Sequence, residues 1–265
     1  MRSNGGVYRA KRRPFAVANW KMSMTVAESR AWLRAFRTLA DDLLDGVDVL
    51  VLPPFTALWA IAPDLRRNGI QLGAQNMAAT TDLASTGESS VALLADAGYQ
   101  WVALGHREVR RHLGDDELAI NSKVRLALES GLKPLVFVGE ESGHEHALQD
   151  ALTSQLERML AGVEVARSSA LAFVYEPEST IGAGAPAEGQ HVASGCTWVR
   201  DWIGKTWGST IADGVRIIYG GSVAPEDTQR LLSSPQVDGV GATRRARNPQ
   251  TFAEIVRQIA KAKAL

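Results

Sequence analysis

Short apolar runs recur eight times along this chain, and each is followed by a longer segment of helical character. Within each run the apolar residues stand next to one another rather than alternating, which is typical of strands covered on both faces. The predicted strands are FAVAN (15–19), VDVLVL (47–52), IQLGA (70–74), WVALG (101–105), PLVFVG (134–139), LAFVYE (171–176), VRIIYG (215–220) and VDGVGA (237–242). Eight such units in 265 residues predict an α/β fold, a single (β/α)8 barrel, with a doubly wound open sheet as the alternative.

Amphipathic segments between the runs predict the helices. Clear examples are TVAESRAWLRAFRTLADDLL (25–44), ELAINSKVRLALESG (117–131), which ends in glycine as helices often do, and TFAEIVRQIAKAKAL (251–265). No linker, low-complexity segment or internal repeat interrupts the pattern. We therefore expect one domain over residues 1–265. Residues 1–13 should form a basic, flexible, solvated tail rather than a targeting arm, because no apolar segment follows them.

Charge and cysteine content narrow the possible partners and the compartment. Lys plus Arg and Asp plus Glu each number 29, so net charge does not favour a nucleic acid or a membrane surface. No apolar run approaches the ~20 residues that span a bilayer. Cys196 is the single cysteine, which rules out an internal disulfide framework and suits a reducing compartment. We expect a cytoplasmic protein with no nucleic-acid and no membrane partner.

The active site of a (β/α)8 barrel lies at the carboxyl ends of its strands, so the residues that follow each strand are the candidates. They are Asn19 and Lys21, His106 and Glu108, Glu140, Glu176, Gly220-Gly221-Ser222, and Thr243-Arg244. A lysine, a histidine and a glutamate at one mouth, beside glycine-rich loops, favour proton transfer on an anionic substrate. His144 and His146 look like a metal-binding pair but lack further ligands nearby, so we expect a surface loop and no metal.

The chemistry of each candidate follows from its predicted surroundings. Glu176 would be shielded from water by the small-residue loop after it, which would make it a better base. His106 stands at a predicted helix start, where a neutral ring would donate a hydrogen bond to a carbonyl or enolate oxygen. Lys21 would stabilise an oxyanion and a phosphate. The backbone of 220–222 would cradle the phosphate. Together they predict proton abstraction beside the carbonyl of a phosphorylated small molecule.

Eight motifs connect these candidates to a known family. They are ANWKM, PPFTAL, GAQN, TGESS, LGHREVRRHLGDD, YEP…IGAG, YGGSV and VDG. In their order and spacing the chain, from about residue 14, resembles the triosephosphate isomerases. The resemblance implies a (β/α)8 fold, no cofactor and no metal, and interconversion of an aldose phosphate and a ketose phosphate through an enediolate, as in glycolysis and gluconeogenesis. A glutamate base with a neutral histidine, under a closing loop, is the arrangement of that family.

The resemblance also implies a role for each site residue. Glu176 would be the base, His106 the electrophile and Lys21 the electrostatic anchor. The supporting residues would be Asn19 lining the pocket, Glu108 after the histidine, Gly182 and Ser222 binding phosphate through backbone N–H groups, and Thr243 and Arg244 at the eighth loop. The loop LASTGESS (83–90) would insert into a second subunit of a homodimer, with Thr86 reaching the Asn19–Glu108 region there.

The chain departs from the family pattern mainly at the lid and at the eighth loop. Glu178-Ser179-Thr180 stands where Val-Trp-Ala is usual, and Ala185-Pro186-Ala187 forms the second hinge, which puts lid closure in question. Arg107 replaces a serine and would either point away or intrude on the substrate. Thr243-Arg244 replaces Gly-Gly, so Arg244 would hold phosphate through its side chain or accommodate a different head group. A tetrulose-phosphate isomerase and a non-catalytic sugar-phosphate-binding paralogue are the alternative functions.

Overall fold

The computed structural model describes residues 12–66 and 69–263, and its centre is a closed barrel of eight parallel strands in chain order. The strands are β1 (Phe15–Asn19), β2 (Asp48–Leu52), β3 (Gln71–Ala74), β4 (Trp101–Leu104), β5 (Lys133–Val138), β6 (Ala172–Tyr175), β7 (Arg216–Gly220) and β8 (Gly239–Ala242). Each pairs with the next, and β8 closes on β1 with Gly239 opposite Phe15. This closure confirms the (β/α)8 barrel and rules out the open sheet.

The strands are buried on both faces, as their consecutive apolar residues predicted. One face points into the barrel, where an inner cluster includes Phe15, Leu50, Trp101 and Phe137. The other face packs against the helices in a second, larger cluster that includes Ala16 and Ala18 of β1. Burying one large apolar side chain contributes about 1.5–3 kcal/mol to folding. Both clusters therefore hold the strand ends, and the residues that follow them, in a fixed ring.

Eleven α-helices lie within the described residues and cover the barrel. They are α1 (Val26–Ala40), α2 (Phe55–Arg66), α3 (Val91–Asp96), α4 (Arg107–Leu113), α5 (Glu117–Glu129), α6 (Leu148–Met159), α7 (Val165–Ser168), α8 (Gly189–Trp207), α9 (Ser209–Gly214), α10 (Pro225–Leu231) and α11 (Pro249–Ala262). None of the helices in this part of the chain combines the length and the apolar character needed to cross a bilayer.

All three predicted helices differ from the observed ones at their ends. The helix predicted over 25–44 stops at Ala40, whose φ of −139° is not helical, and a 3-10 turn follows over Asp41–Leu43. The last helix begins at Pro249 rather than at 251, because the Asn248 side chain accepts from the N–H of Thr251 and caps the helix. The helix predicted over 117–131 is confirmed as α5, two residues shorter at its end.

The predicted basic tail lies almost wholly outside the described residues, which begin at Arg12. Arg12 Nε is 2.6 Å from Asp238 Oδ1, and Arg13 Nε is 2.6 Å from Asp48 Oδ1. Asp48 begins β2 and Asp238 immediately precedes β8. These two ion pairs therefore tie the last residues of the predicted tail to the end of the barrel opposite the strand tips.

Candidate active site

The strand tips converge on one small pocket at the carboxyl end of the barrel. Its rim carries Asn19 from the end of β1, His106 after β4, Glu176 after β6, and Thr243 after β8. Its floor is formed by apolar side chains of the inner barrel cluster, among them Val17, Phe137 and Val174. With Gly220 at the end of β7, five of the candidates named from the sequence line this single pocket.

His106 and Glu176 face each other across this pocket. His106 Nε2 lies 3.4 Å from Glu176 Oε2, and both residues are buried. The His106 ring packs edge-on against Phe137 with 5.0 Å between the ring centroids, which limits its freedom to turn. A carboxylate and an imidazole at this separation are placed to act on neighbouring atoms of one small substrate.

The hydrogen bond at the other ring nitrogen assigns the proton of His106. The backbone N–H of Glu108 donates to His106 Nδ1 at 3.1 Å, so Nδ1 carries the lone pair and Nε2 carries the proton. His106 Nε2 is buried and has no hydrogen-bond partner among the described residues. A buried donor without a partner is costly, and a substrate oxygen that accepts from Nε2 would satisfy it.

Two glycines make room for Glu176. A Cβ on Gly139, directly after β5, would lie 2.1 Å from the Glu176 carbonyl oxygen. A Cβ on Gly220, at the end of β7, would lie 2.6 Å from Val174 Cγ1 and 3.1 Å from Glu176 Oε1. The backbone N–H of Glu176 donates to the Val138 carbonyl oxygen at 2.8 Å. The carboxylate is therefore positioned by backbone packing. No role for Gly139 was predicted from the sequence.

Lys21 adopts a strained backbone conformation that several bonds hold in place. Its φ is +52°, a left-handed value that costs a non-glycine residue about 1–3 kcal/mol. The backbone N–H of Lys21 donates to Asn19 Oδ1 at 2.9 Å, and Gln75 Nε2 donates to the Lys21 carbonyl oxygen at 2.9 Å. Gln75 Nε2 also donates to the Leu52 carbonyl oxygen at 3.0 Å. In the sequence Gln75 stands out only as part of the GAQN motif, and its contacts with the two other loops were not predicted.

An ion pair with Glu108 fixes the position of the Lys21 ammonium. Lys21 Nζ lies 2.6 Å from Glu108 Oε1, and the backbone N–H of Glu108 is the one that binds His106. Partial burial acts to raise the pKa of Glu108, but its hydrogen bond to Lys21 and the charge of Lys21 outweigh that effect and lower it. Glu108 is therefore ionised at neutral pH and links the lysine to the histidine.

The lid after Glu176 is docked on the loop that follows β7. The Gly184 N–H donates to Ser222 Oγ at 3.2 Å, and Ser222 Oγ donates to the Thr180 carbonyl oxygen at 2.9 Å. Near the second hinge, the Ala187 N–H donates to Tyr219 Oη at 2.9 Å. The lid closure that the sequence put in question is thus the conformation observed, with Ser222 serving the lid through its hydroxyl.

Not every candidate named from the sequence lines the pocket. Gly182 lies on the lid, in a groove next to α4, and Lys21 stands beside the rim, bonded to Glu108. Arg244 is exposed and precedes a 3-10 turn over Arg245–Arg247. Within the described residues Arg244 has no carboxylate partner. Its guanidinium is therefore available to an anion at the mouth.

Arg107 points away from the pocket. Its Nη2 lies 2.9 Å from Glu178 Oε2 and 3.0 Å from Glu141 Oε1. Arg111 Nη2 contacts the other oxygen of Glu178, Oε1. Of the two orientations that the sequence left open for Arg107, the structure has the outward one, and Glu178 is its partner.

A buried polar cluster supports the segment around Glu176 from beneath. Glu140, after β5, is buried, and Tyr175 Oη donates to its two carboxylate oxygens, each at 3.0 Å. His191 Nε2 lies 2.6 Å from Glu140 Oε1. Burial and the adjacent charge of Glu140 raise the pKa of Tyr175, so its hydroxyl stays protonated as a donor. Glu140 was named as a strand-tip residue, but its partners were not predicted.

Metal ligation has no support in the described part of the chain. There, no group of three or more His, Cys, Asp and Glu side chains is arranged to hold an ion. His144 and His146 are exposed at a 3-10 turn over Glu145–Ala147, with 6.1 Å between their ring centroids.

Comparisons with known proteins agree with this geometry. A protein-family model described as triosephosphate isomerase matches residues 14–259. A triosephosphate isomerase from Carboxydothermus hydrogenoformans is 39% identical over 250 residues, which cover 93% of this chain and 98% of that protein. One from Symbiobacterium thermophilum is 37% identical, covering 96% of this chain and 99% of that protein. One from Herpetosiphon aurantiacus is 37% identical, covering 93% and 99%.

Proposed function

Because this chain belongs to the triosephosphate isomerase family, we propose that it interconverts glyceraldehyde 3-phosphate and dihydroxyacetone phosphate. The observation that carries the proposal is the buried, unpartnered His106 Nε2, 3.4 Å from Glu176 Oε2. The relatives reported above all bear the name triosephosphate isomerase. The tetrulose-phosphate and non-catalytic alternatives are therefore not favoured.

Proton transfer between two neighbouring carbons requires one base and one donor. Glu176 takes the proton from the carbon beside the carbonyl, while the Nε2–H of His106 donates a hydrogen bond to the carbonyl oxygen. The electron pair of the broken C–H bond then forms the enediolate double bond. The π pair of the carbonyl moves onto its oxygen, which takes the Nε2 proton of His106, and the ring then takes the proton of the neighbouring hydroxyl, whose oxygen becomes the new carbonyl. Glu176 returns its proton to the former carbonyl carbon, which yields the isomer. The proton and the electron pair stay among substrate, Glu176 and His106, so the steps call for no cofactor and no metal.

Lys21 and its neighbours stabilise the negative charge that develops. The ammonium is fixed before substrate binds, by the pair with Glu108 at 2.6 Å, so little reorganisation accompanies the reaction. Asn19 holds the backbone of Lys21 and lines the pocket. These contacts support Lys21 as the electrostatic anchor and Asn19 and Glu108 as its supports.

The substrate phosphate binds between the lid and the last two loops. Gly182 on the lid and Ser222 after β7 would each supply a backbone N–H group, and Thr243 lines the pocket. Arg244 stands where the family pattern has the second glycine of the eighth loop. In place of that glycine's N–H group it offers a guanidinium, which has no carboxylate partner among the described residues. A guanidinium binds phosphate through two parallel hydrogen bonds, and we assign it that role.

A homodimer is part of the same proposal. Met22, Phe55 and Trp59 are large exposed apolar residues, and they follow β1 and β2 on the mouth side of the barrel. Gln75 bonds the loops after β1 and β2 to its own, so these residues belong to one region. The 83–90 loop, with Thr86, would cover that region of a second copy. Light scattering at micromolar concentration should give twice the chain mass, and a monomer would contradict the dimer.

A cytoplasmic location completes the proposal. Cys196 is a free thiol buried in the core, and burial raises its pKa, which keeps it protonated and unreactive. Such a thiol is compatible with a reducing compartment. Fractionation of cells that express the protein should recover it with cytoplasmic markers; recovery with the envelope would contradict the assignment.

Replacement of the base tests the catalytic assignment. We expect Glu176→Gln to lower kcat on glyceraldehyde 3-phosphate by about 10²- to 10⁴-fold, since the amide cannot accept the proton. The matched control is Glu129→Gln, which makes the same change at an exposed position of α5 and should leave kcat unchanged. Turnover of Glu176→Gln within a few-fold of the parent would refute the role of Glu176. Turnover of a tetrulose phosphate without turnover of glyceraldehyde 3-phosphate would refute the proposed triose-phosphate substrate.

A further inference from the structure

An ionic cluster that the proposed chemistry does not use holds the first hinge of the lid to helix α4. Glu178 belongs to the hinge, in a 3-10 turn over Glu178–Thr180. Its Oε2 is 2.9 Å from Arg107 Nη2 and accepts the Ser142 N–H at 3.3 Å. Its Oε1 contacts Arg111 Nη2. We call Glu178 with Arg107 and Arg111 the latch.

The latch differs from an ordinary surface ion pair in burial and in the number of its donors. The Glu178 side chain is only 12% exposed, whereas most exposed pairs are hydrated and contribute little. Both carboxylate oxygens are bonded, one of them by two donors. If the arginines were removed, a largely buried carboxylate would lose its charged partners, which is far less favourable than separating two hydrated ions.

The latch joins the two elements that carry the proposed acid–base pair. Glu178 is two residues after Glu176, and Arg107 directly follows His106. The Glu178 N–H also donates to the Glu140 carbonyl oxygen at 3.0 Å, which ties the hinge to the loop after β5. A contact between Arg107 and Glu178 therefore restrains the backbone of the base relative to the backbone of the histidine.

We propose that Arg107 and Arg111 are positioning residues, which hold the lid closed and keep Glu176 in place relative to His106 through their contacts with Glu178. The kinetic part of this inference rests on the proposed isomerase function, whereas the closure of the lid does not. Two separate measurements therefore distinguish failure of the latch from failure of the proposed function.

The first measurement is hydrogen exchange of the lid amides in the substrate-free protein. The amides of 180–187 include the Gly184 and Ala187 N–H groups bonded to the β7 side. Glu178→Gln and Arg107→Gln should each speed their exchange by about three- to tenfold. The double variant should exchange no faster than the faster single variant, because both changes break one contact.

Controls separate the latch from a general effect of charge. Glu164→Gln removes the carboxylate of an exposed pair with Arg167 and should leave lid exchange unchanged. Arg107→Lys keeps the charge and should restore most of the protection. Lid exchange in Glu178→Gln within twofold of the parent, or single effects that multiply in the double variant, would overturn the latch.

The second measurement is turnover, which addresses positioning. With the latch broken, Glu178→Gln should lower kcat on glyceraldehyde 3-phosphate by about three- to tenfold, because the base and the histidine are less often at reactive separation. Faster lid exchange with an unchanged kcat would overturn the positioning role. A parent protein without turnover would instead refute the proposed function and leave the exchange result to decide the latch.

Discussion

The loops after β1, β3 and β4 and the loops after β6, β7 and β8 meet over one pocket, but different contacts hold them. The first set, here the proton-transfer side, is bonded through short polar contacts among Asn19, Lys21, Gln75, His106 and Glu108, at 2.6 to 3.1 Å. In the second set, the lid side, backbone N–H groups of the lid donate to the Ser222 and Tyr219 hydroxyl oxygens. The latch at Glu178 holds the same side.

This difference follows from what each side has to supply. The proton-transfer side must present particular atoms at fixed positions, namely the Nε2–H of His106 and the ammonium of Lys21. The lid side begins with the base Glu176, whose backbone N–H is bonded to the Val138 carbonyl oxygen. The rest of the lid side must cover the pocket and offer donors to a phosphate, which several chemistries achieve. The departures from the family pattern at 178–180, 185–187 and 243–244 lie on the lid side, and Arg107, a departure on the proton-transfer side, turns outward to Glu178. At Glu178, where the family pattern has valine, the contacts with Arg107 and Arg111 are ionic.

The largest expected effect is on the proton-transfer side. We expect His106→Gln to lower kcat by about 10²- to 10⁴-fold with little change in melting temperature, because the donor to the substrate oxygen is lost while the site remains packed. Steady-state kinetics with circular dichroism melting would measure both. A fall in kcat of less than tenfold would contradict the assignment and would remove the asymmetry between the two sides.

An intermediate effect is expected at the phosphate loop on the lid side. Arg244→Gln should raise KM by up to about tenfold, since one charge-assisted hydrogen bond is lost, and should change kcat less. Arg245→Gln alters the neighbouring exposed arginine and is the control. Equal changes in both variants would mean that only the local charge matters, and no change in either would refute phosphate binding by Arg244.

The smallest expected effect concerns the pH range of the latch. Partial burial acts to raise the pKa of Glu178, but the hydrogen bonds from Arg107 and Ser142 and the arginine charges outweigh it and lower it. A carboxylate with a lowered pKa keeps its stabilising charge above the ordinary carboxyl range and loses it only as pH falls through the lowered value.

Lid exchange, corrected for the intrinsic chemical rate, should therefore be constant between about pH 8 and pH 5 and should rise only below about pH 4. Arg107 stays charged over that range: burial opposes it, but its bonds to Glu141 and Glu178 raise its pKa. Protection that weakens already near pH 6 would show that a group other than Glu178 controls the closure of the lid.

The sequence predicted the fold because its evidence is local. Apolar residues at consecutive positions indicate a strand buried on both faces, and a short segment shows this without any knowledge of its partners. Eight such strands with intervening helices close most simply into a barrel, whose parallel strands all end at one mouth. The placement of Asn19, His106, Glu176 and Thr243 around one pocket follows from that topology alone.

The contacts that hold the site were not predictable in the same way. Gln75 bonds the Lys21 and Leu52 backbones, and Gly139 admits the Glu176 backbone, but in sequence they are only an amide in a motif and a glycine at a strand end. Their roles depend on which loops lie opposite each other. Helix ends were also imprecise, since the helix over 25–44 stops where the φ of Ala40 departs from helical values.

The sequence by itself determined the strand–helix order and the residues that follow each strand, because apolar patterning is a local property. Closure of the sheet into a barrel was predicted but was decided against the open sheet only by the pairing of β8 with β1. Only the tertiary structure decided which nitrogen of His106 carries the proton, through the Glu108 N–H. It also decided that Arg107 turns outward to Glu178. A hydrogen bond or an ion pair forms between residues far apart along the chain only when the fold brings their atoms within about 3 Å. The separation of two residues along the sequence does not indicate their distance in the fold.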